Sequence, residues 1–436
     1  MKRRSVLATA VLASAMLTAC TQSSWLDGTS GPEADAGSEE RVVVEFWHTY
    51  SDLESEVFEN EIIPLFEAEH PGIGIRSVRH DYTEQLKDNV MAAVIDGKQP
   101  DVMRMDIIWV PEFASRGMLV DVSQLTQFDT LHEQFVGQLM LTNYFRGNYY
   151  GIPVNANTKA AVYNLNLVRR AGLDAPPSTL EELAEAARRL KRQDPALYGM
   201  GICCSSSWGT LPYFWTLGGR LTDDKYTRAG GFMDSPESIA ALRQLKEWYD
   251  EGLISPAIVG GEPGSWDGVL NDKILMIEES HWFFTLNALG DNKDKLQHTA
   301  VHPFPDGPAG MKGTSIVGGE NLVLFANSDK REEAWTFMRW MVGEQPQKIM
   351  AKTGLVPTVS RISDLPHDPM FETYMTQLHN ARIRLPVPAW TEIDKEWAKM
   401  IEKILTGEQP LEEAAAAAAA AVDRLLSAPS ESAGKR

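Results

Sequence analysis

The chain has 436 residues, of which 43% are hydrophobic and 23% charged, and a formal net charge of −19. That length exceeds one comfortable hydrophobic core, so two domains are expected, and the composition is that of a folded globular protein. Without residues 1–19, which take Lys2, Arg3 and Arg4 with them, the charge becomes −22. So acidic a body repels nucleic acid and anionic headgroups and gives phosphate little to hold, which favours a neutral partner.

In chain order, MKRR is a basic start followed by SVLATAVLASAML, an apolar stretch too short to span a bilayer comfortably. It ends in LTAC at Leu17–Cys20, which resembles the lipobox of bacterial lipoproteins, where cleavage precedes the cysteine and lipid is attached to its sulfur. The alternative is an ordinary secretion signal with a chance cysteine. Residues 20–40, rich in Ser, Gly, Asp and Glu, are expected to be a flexible tether, and residues 427–436 an equally loose tail. No other segment has the run of apolar residues that a membrane span needs.

The body opens on the strand-like VVVEFWH at 42–48, and a helical period over 53–69 follows it, ending at Pro71-Gly72. Strand 73–78, helix 82–95 and a buried strand at 101–107 complete a β-α-β-α-β order, which implies a parallel open sheet with ligands beyond the carboxyl ends of its strands. Extended segments follow at 149–153 and 160–163. The helix LEELAEAARRLKR is then capped by Ser178 or Thr179, with acids early and bases late as the helix dipole favours. Further helices are expected at 236–251, 331–341 and 392–405, and the alanine run 414–421 reads as a closing helix. The adjacent Cys203 and Cys204 are either a strained vicinal disulfide or two buried free thiols.

Six segments in order carry a resemblance: VVVEFWH; PDVMRMDIIWVPEFASRGMLVDVSQL; YYGIPVNANTKAAVYNLNLV; GLDAPPSTLEELAEAARRL; GGENLVLFANSDKREEAWTFMRWM; and the ending with Trp390, Gly407 and LEEAAAAAAAAV. Together they resemble the extracellular solute-binding proteins of ABC importers, the maltose-binding-like group. The resemblance implies an α/β, periplasmic-binding-protein-like fold: two α/β lobes with open mixed sheets, joined by a multi-strand hinge. The expected division places 41–152 plus about 318–345 in the first lobe and 153–317 plus about 346–426 in the second. Hinge closure on a ligand would present one shape to a membrane permease.

Aromatic faces cover the C–H face of a sugar ring, and carboxylates or amides bond its hydroxyls. By position at strand ends, Trp47 and Tyr50, and Asp106 and Trp109, are candidate ligand contacts, as is Trp208 in CCSSSWG, which begins an aromatic cluster with Tyr213, Phe214 and Trp215. The resemblance adds Asn155 and Asn157 on one crossing segment, Gly319 and Glu320 on the other, Trp282 in MIEESHWFF, and Trp390. The competing reading for any aromatic is core packing, which is favoured for Trp248, Trp335, Trp340 and Trp397 on helices at apolar spacing. His48 is expected to be packing or surface, and Glu278 and Glu279 to be solvated acids on opposite faces of a strand. Neither zinc-ligand spacing nor a nucleophile or phosphate-loop motif is present, so no metal, cofactor or catalytic residue is assigned.

The expectation is a monomeric, lipid-anchored, extracytoplasmic receptor, not an enzyme, that takes a carbohydrate, an oligosaccharide by preference, to an ABC permease. The rivals are the same fold with a polyamine, glycerophosphodiester or peptide fragment, and a secreted glycoside-processing enzyme. An amine remains open because Asp106 and Glu320 can pair with it.

Overall fold

The computed structural model describes residues 41–83, 85–288, 292–360, 362 and 369–428. The expected leader, Cys20 and the tether lie outside the described residues, as do residues 429–436 of the expected tail. The strands that build the two lobes are, in chain order, β1 (Val42–His48), β2 (Ile73–Arg79), β3 (Val102–Asp106), β4 (Ile152–Thr158), β5 (Ala160–Asn164), β6 (Tyr198–Gly201), β7 (Ile274–Glu279), β8 (Thr299–His302), β9 (Ser315–Leu324) and β10 (Ala381–Arg382).

The first sheet has the order β10–β9–β3–β1–β2, with β4 also paired to β9. β1 runs parallel to β2 and to β3, as the alternating strand and helix signals require, while β9 enters antiparallel to β3. Along β1 the pleat sends Val44, Phe46 and His48 into a core with Phe58, Phe66 and Phe337. Trp47 therefore faces the opposite side, with Met103 and Val90 of a second, smaller core. The second sheet has the order β8–β5–β7–β6, of which only β7 and β6 are parallel.

Two long strands join the sheets. β4 is buried along its whole length and pairs antiparallel with β9, and Lys159 alone separates its end from the start of β5 in the second sheet. β9 returns through the same place and continues onto β3, so that Glu320 faces Asn155 on one side and Asp106 on the other. A bulge between Glu320 and Asn321 shifts the register there. At Gly319, φ is +124°, and a Cβ would lie 2.3 Å from the Asn155 carbonyl oxygen, so only glycine fits this crossing.

Local sequence accounts for the helices. Asp52–Val57 begins with a capping box of Ser51 and Glu54, and its axis continues through a π-helical turn, Phe58–Ile62, into Ile63–Glu69. Leu180–Gln193 has the same device, Thr179 with Glu182. In the alanine helix Leu411–Ser427, Ala414, Ala415, Ala418, Ala419 and Val422 are buried at a 3-4 spacing, which lets it pack closely on Trp390–Thr406. The chain stays with the first core beyond residue 345: Met350 and Leu355 pack there with Trp335 and Phe337. The two closing helices belong to the second core.

Candidate functional site

The carboxyl ends of β1, β2, β3 and β7, the start of the helix that follows β6, and the crossing strands β4 and β9 converge on one cleft of about 740 Å³. This is where an open α/β sheet places ligands, and the volume lies within the range of about 300–1,000 Å³ common for such sites.

On the first-lobe side and floor, side chains read across the strands. Arg104, buried in β3, donates to Glu320 Oε2 at 2.7 Å, to Asn155 Oδ1 at 3.1 Å and to Thr49 Oγ1 at 2.9 Å, and its guanidinium lies 4.4 Å from the centre of the Tyr50 ring. Glu320 Oε2 also accepts from Asn155 Nδ2 at 2.6 Å. Burial pushes the Glu320 carboxyl above its ordinary range; Arg104 pulls against that and the neighbouring Asp106 adds to it. Asp106 accepts from the Tyr82 hydroxyl at 2.7 Å and from Ile108 N at 3.0 Å. Asn157 differs: its Oδ1 is buried without a hydrogen-bond partner, an acceptor left open in the wall.

The second-lobe side supplies the rings. Trp208 is the second residue of the helix Ser207–Thr216, which follows β6, and Trp282 opens the helix Trp282–Ala288, which follows β7. The two indoles lie with centroids 6.0 Å apart and planes at 27°, both half-buried on the cleft wall. Arg384 stands 5.5 Å from the centre of the Trp208 ring. Behind Trp208, the fully buried Lys159 Nζ donates to the Trp208 carbonyl at 3.1 Å and to Glu278 Oε1 at 3.0 Å, and Glu278 also accepts from the Tyr213 hydroxyl at 2.9 Å. Burial pushes the Glu278 carboxyl up to about 7 despite that ammonium.

Residues 51–348 match the family model described as bacterial extracellular solute-binding protein. The chain belongs to that family. This binding protein is 23% identical over 401 residues to a binding protein of Brucella abortus, covering 90% of this chain and 94% of that one. It is 24% identical over 346 residues to the maltotriose-binding protein of Pyrococcus abyssi, covering 77% of this chain and 70% of the relative. Among solved structures, the GacH receptor of Streptomyces glaucescens, determined unliganded and with acarbose, superposes with a TM-score of 0.77 at 24% identity, over 89% of this chain and 99% of that one. The family is extracellular, and the two lobes with their crossing strands are its fold.

Of the residues singled out in the sequence, the binding protein brings Tyr50, Asp106, Asn155, Asn157, Trp208, Trp282, Gly319 and Glu320 onto the cleft wall. Three stand elsewhere. Trp47 points to the other face of β1, lies against the His80 ring with centroids 4.5 Å apart and planes tilted by 52°, and donates from Nε1 to Glu45 Oε1 at 2.7 Å. Trp109 is buried and stacks parallel to Tyr82, with centroids 5.9 Å apart, so it supports a wall residue from behind. Trp390 is 1% exposed, the first residue of a helix whose Ile393, Trp397 and Ile401 share its core face.

His48 is a packing residue, fully buried against Phe46 and Phe58. The expectation of solvated acids at 278–279 is corrected: both are buried on opposite faces of β7, Glu278 against Lys159 and Tyr213, Glu279 accepting from Trp266 Nε1 at 2.8 Å. The ion-pair partner of Glu278, Lys159, lies 119 residues away in sequence. The wall also contains Tyr82, Arg104, His281 and Arg384, which sequence reasoning passed over. Two of these had a signal. Arg104 is a charge inside the apolar run VMRMD, and Tyr82 follows the end of β2 as Tyr50 follows β1.

Proposed function

We propose that the cleft binds a carbohydrate, an oligosaccharide by preference, and that the protein delivers it to an ABC permease without chemical change. The observation that carries this reading is the pairing of the Trp208 and Trp282 indoles with a set of hydroxyl-reading groups across the cleft, Asp106, Asn155, Asn157 and Glu320. Rings cover the C–H faces of a sugar, and the open Asn157 Oδ1 accepts from one of its hydroxyls. The maltotriose-binding relative and the acarbose-binding neighbour support the same class. On this reading the LTAC motif anchors the mature chain through Cys20 outside the cytoplasm, with the tether holding a monomeric body near its permease.

The wall carries Asp52, Glu54, Asp81, Asp106, Glu320 and Asp394 against Arg79, Arg104 and Arg384, and two of those cations are paired with Asp52 and Glu320. This disfavours a phosphate ester and leaves an amine as the rival ligand. An enzymatic reading would use Glu320 as acid beside Asp106. Against it, the Glu320 Oε2 oxygen is committed to Arg104 and Asn155, and Asp106 to Tyr82 and Ile108.

The test is a thermal-shift panel of maltotriose, other oligosaccharides, monosaccharides, spermidine and glycerol 3-phosphate, followed by chromatography of the sugar after incubation. A ligand that binds only the folded state raises Tm. Saturable stabilisation by a sugar recovered intact supports the proposal. Stabilisation by spermidine alone overturns the ligand class, and a cleaved sugar overturns the absence of catalysis.

A further inference from the structure

We propose that Cys203 and Cys204 are a thiol–disulfide exchange site, in which Cys204 attacks a small disulfide and Cys203 resolves the adduct, closing a vicinal ring directly behind Trp208. The two thiols are free and half-buried, on the segment between β6 and the helix Ser207–Thr216. Their sulfurs are 2.9 Å apart, within about 1 Å of a covalent S–S bond. Cys204 Sγ is 3.1 Å from the Ser206 hydroxyl, and Lys159 Nζ is 3.8 Å from Cys203 Sγ.

These neighbours divide the roles. The Cys203 thiol donates to Cys204 Sγ, which also has the Ser206 hydroxyl beside it, and these hydrogen bonds hold Cys204 low; the same shared hydrogen bond and burial push Cys203 up, while the Lys159 ammonium, in contact with Cys203, pulls both down. Cys204 is thus the thiolate, which is the nucleophile, and Cys203 keeps its proton until the second step.

In the first step Cys204 Sγ bonds to one sulfur of R–S–S–R, whose S–S bond breaks, and the released thiolate takes a proton from water. In the second, Cys203 gives up its thiol proton to solvent and attacks Cys204 Sγ, expelling the second thiolate, which is protonated in turn. Two protein thiols lose two electrons and one small disulfide gains them, yielding one ring and two small thiols.

The ring is a reversible bond, not a structural staple. Adjacent Cα atoms stand about 3.8 Å apart across a trans peptide, below the usual disulfide range, and the resulting strain makes the bond easily reduced. Its place connects it to the cleft. Lys159 Nζ, which touches Cys203, also holds the Trp208 carbonyl, and a Cβ on Gly209 would lie 2.4 Å from the Cys204 carbonyl oxygen and 3.2 Å from the Cys204 nitrogen, the latter within the Cys203–Cys204 peptide that the ring includes. The helix that carries Trp208 thus rests on the very peptide that closure must rearrange. None of this depends on which ligand the cleft takes.

The experiment uses the full chain, reduced, desalted and exposed to oxidised glutathione, then alkylated without reductant and mapped by peptide mass. The expected product is a Cys203–Cys204 peptide two hydrogens lighter, unalkylated, and returned to two alkylatable thiols by mild dithiothreitol. Cys203→Ser should trap a stable glutathione adduct on Cys204, and Cys204→Ser should form its adduct at least tenfold more slowly. Two alkylated thiols, or a glutathione on each, in the unsubstituted chain would overturn ring closure. Equal rates in the two variants would overturn the assignment of Cys204 as the attacking group. The near-UV circular dichroism of the oxidised and reduced forms should differ, and Trp208→Phe should abolish most of that difference; identical spectra would overturn the link to Trp208.

Discussion

Two tryptophans separate binding from packing at the scale of single residues. Trp208 presents a half-buried ring to the cleft, and losing that face in Trp208→Ala should cost about 1.5–3 kcal/mol of binding, or roughly ten- to hundredfold in Kd for the sugar that the panel identifies. Trp47 is packed on the far side of β1, so Trp47→Ala should leave Kd within about twofold while lowering stability by about 2 kcal/mol. Calorimetric titration and urea unfolding of both variants check this; a large loss of affinity in Trp47→Ala would put that ring back in the site. A different cost applies at Glu320. Its carboxylate is the ion-pair partner of the buried Arg104, and Glu320→Ala leaves that cation uncompensated, which costs about 3–5 kcal/mol. Glu320→Gln retains an acceptor for the guanidinium and should lose clearly less, as read from the urea midpoints of the two variants.

At the scale of elements, the crossing pair β4–β9 ties the hinge to the site through two adjacent glycines with different constraints. Gly319 has a left-handed φ and no room for a Cβ beside the Asn155 carbonyl, so Gly319→Ala strains the main chain and should cost more than about 2 kcal/mol of stability. At Gly318 a Cβ would meet the Asn157 Oδ1 at 2.1 Å and the Trp208 ring at 3.0 Å, both side chains of the cleft wall. Gly318→Ala should therefore weaken sugar binding at least tenfold with a smaller loss of stability; the reverse ranking of the two variants would refute this assignment. The strands and helices themselves were largely legible in the sequence. Apolar runs and their alternation marked β1 to β3, and the caps at Ser178-Thr179 marked the long helix. What a one-dimensional pattern cannot supply is which face of β1 meets which core, since both faces bury apolar side chains, and so position at the strand end alone does not distinguish Trp47, packed in the smaller core, from a cleft residue. Trp390 was legible after all: Ile393, Trp397 and Ile401 repeat with it at helical spacing, which marks a core stripe. The burial of Glu278 was not, because its cation, Lys159, is the single residue that joins the crossing strand β4 to β5.

For the whole molecule, acid stability follows from buried groups whose protonation differs between folded and unfolded chains. His48 is fully buried and neutral: its Nδ1 accepts from Tyr50 N at 3.3 Å, which leaves Nε2 as the donor to Ser77 Oγ at 2.8 Å. Burial pulls it down to about 3 and His281 to about 4, and the half-buried His80 and His302 shift in the same direction. An unfolded histidine takes its proton near pH 6.5. Below that pH the unfolded chain binds protons that the fold refuses, and stability falls by up to about 1.4 kcal/mol per pH unit for each ring. Glu278 opposes this. Its folded value of about 7 lies above its ordinary 4.5, so between those limits the fold binds a proton that the unfolded chain does not, and its contribution grows as pH falls. Glu320, shifted upward by burial, acts in the same sense. The two sets partly cancel between pH 6.5 and 4.5. Below 4.5 the carboxyls are protonated in both states and their offset stops growing, while His48 continues to lose stability down to about pH 3. Urea midpoints should therefore decline gently from pH 6.5 to 4.5 and steeply from 4.5 to 3. His48→Gln removes one titrating ring, and at pH 3.5 it should retain a larger fraction of its own neutral-pH stability than the unsubstituted chain does. Equal fractional losses would mean that the neutrality of this ring does not set the acid limb.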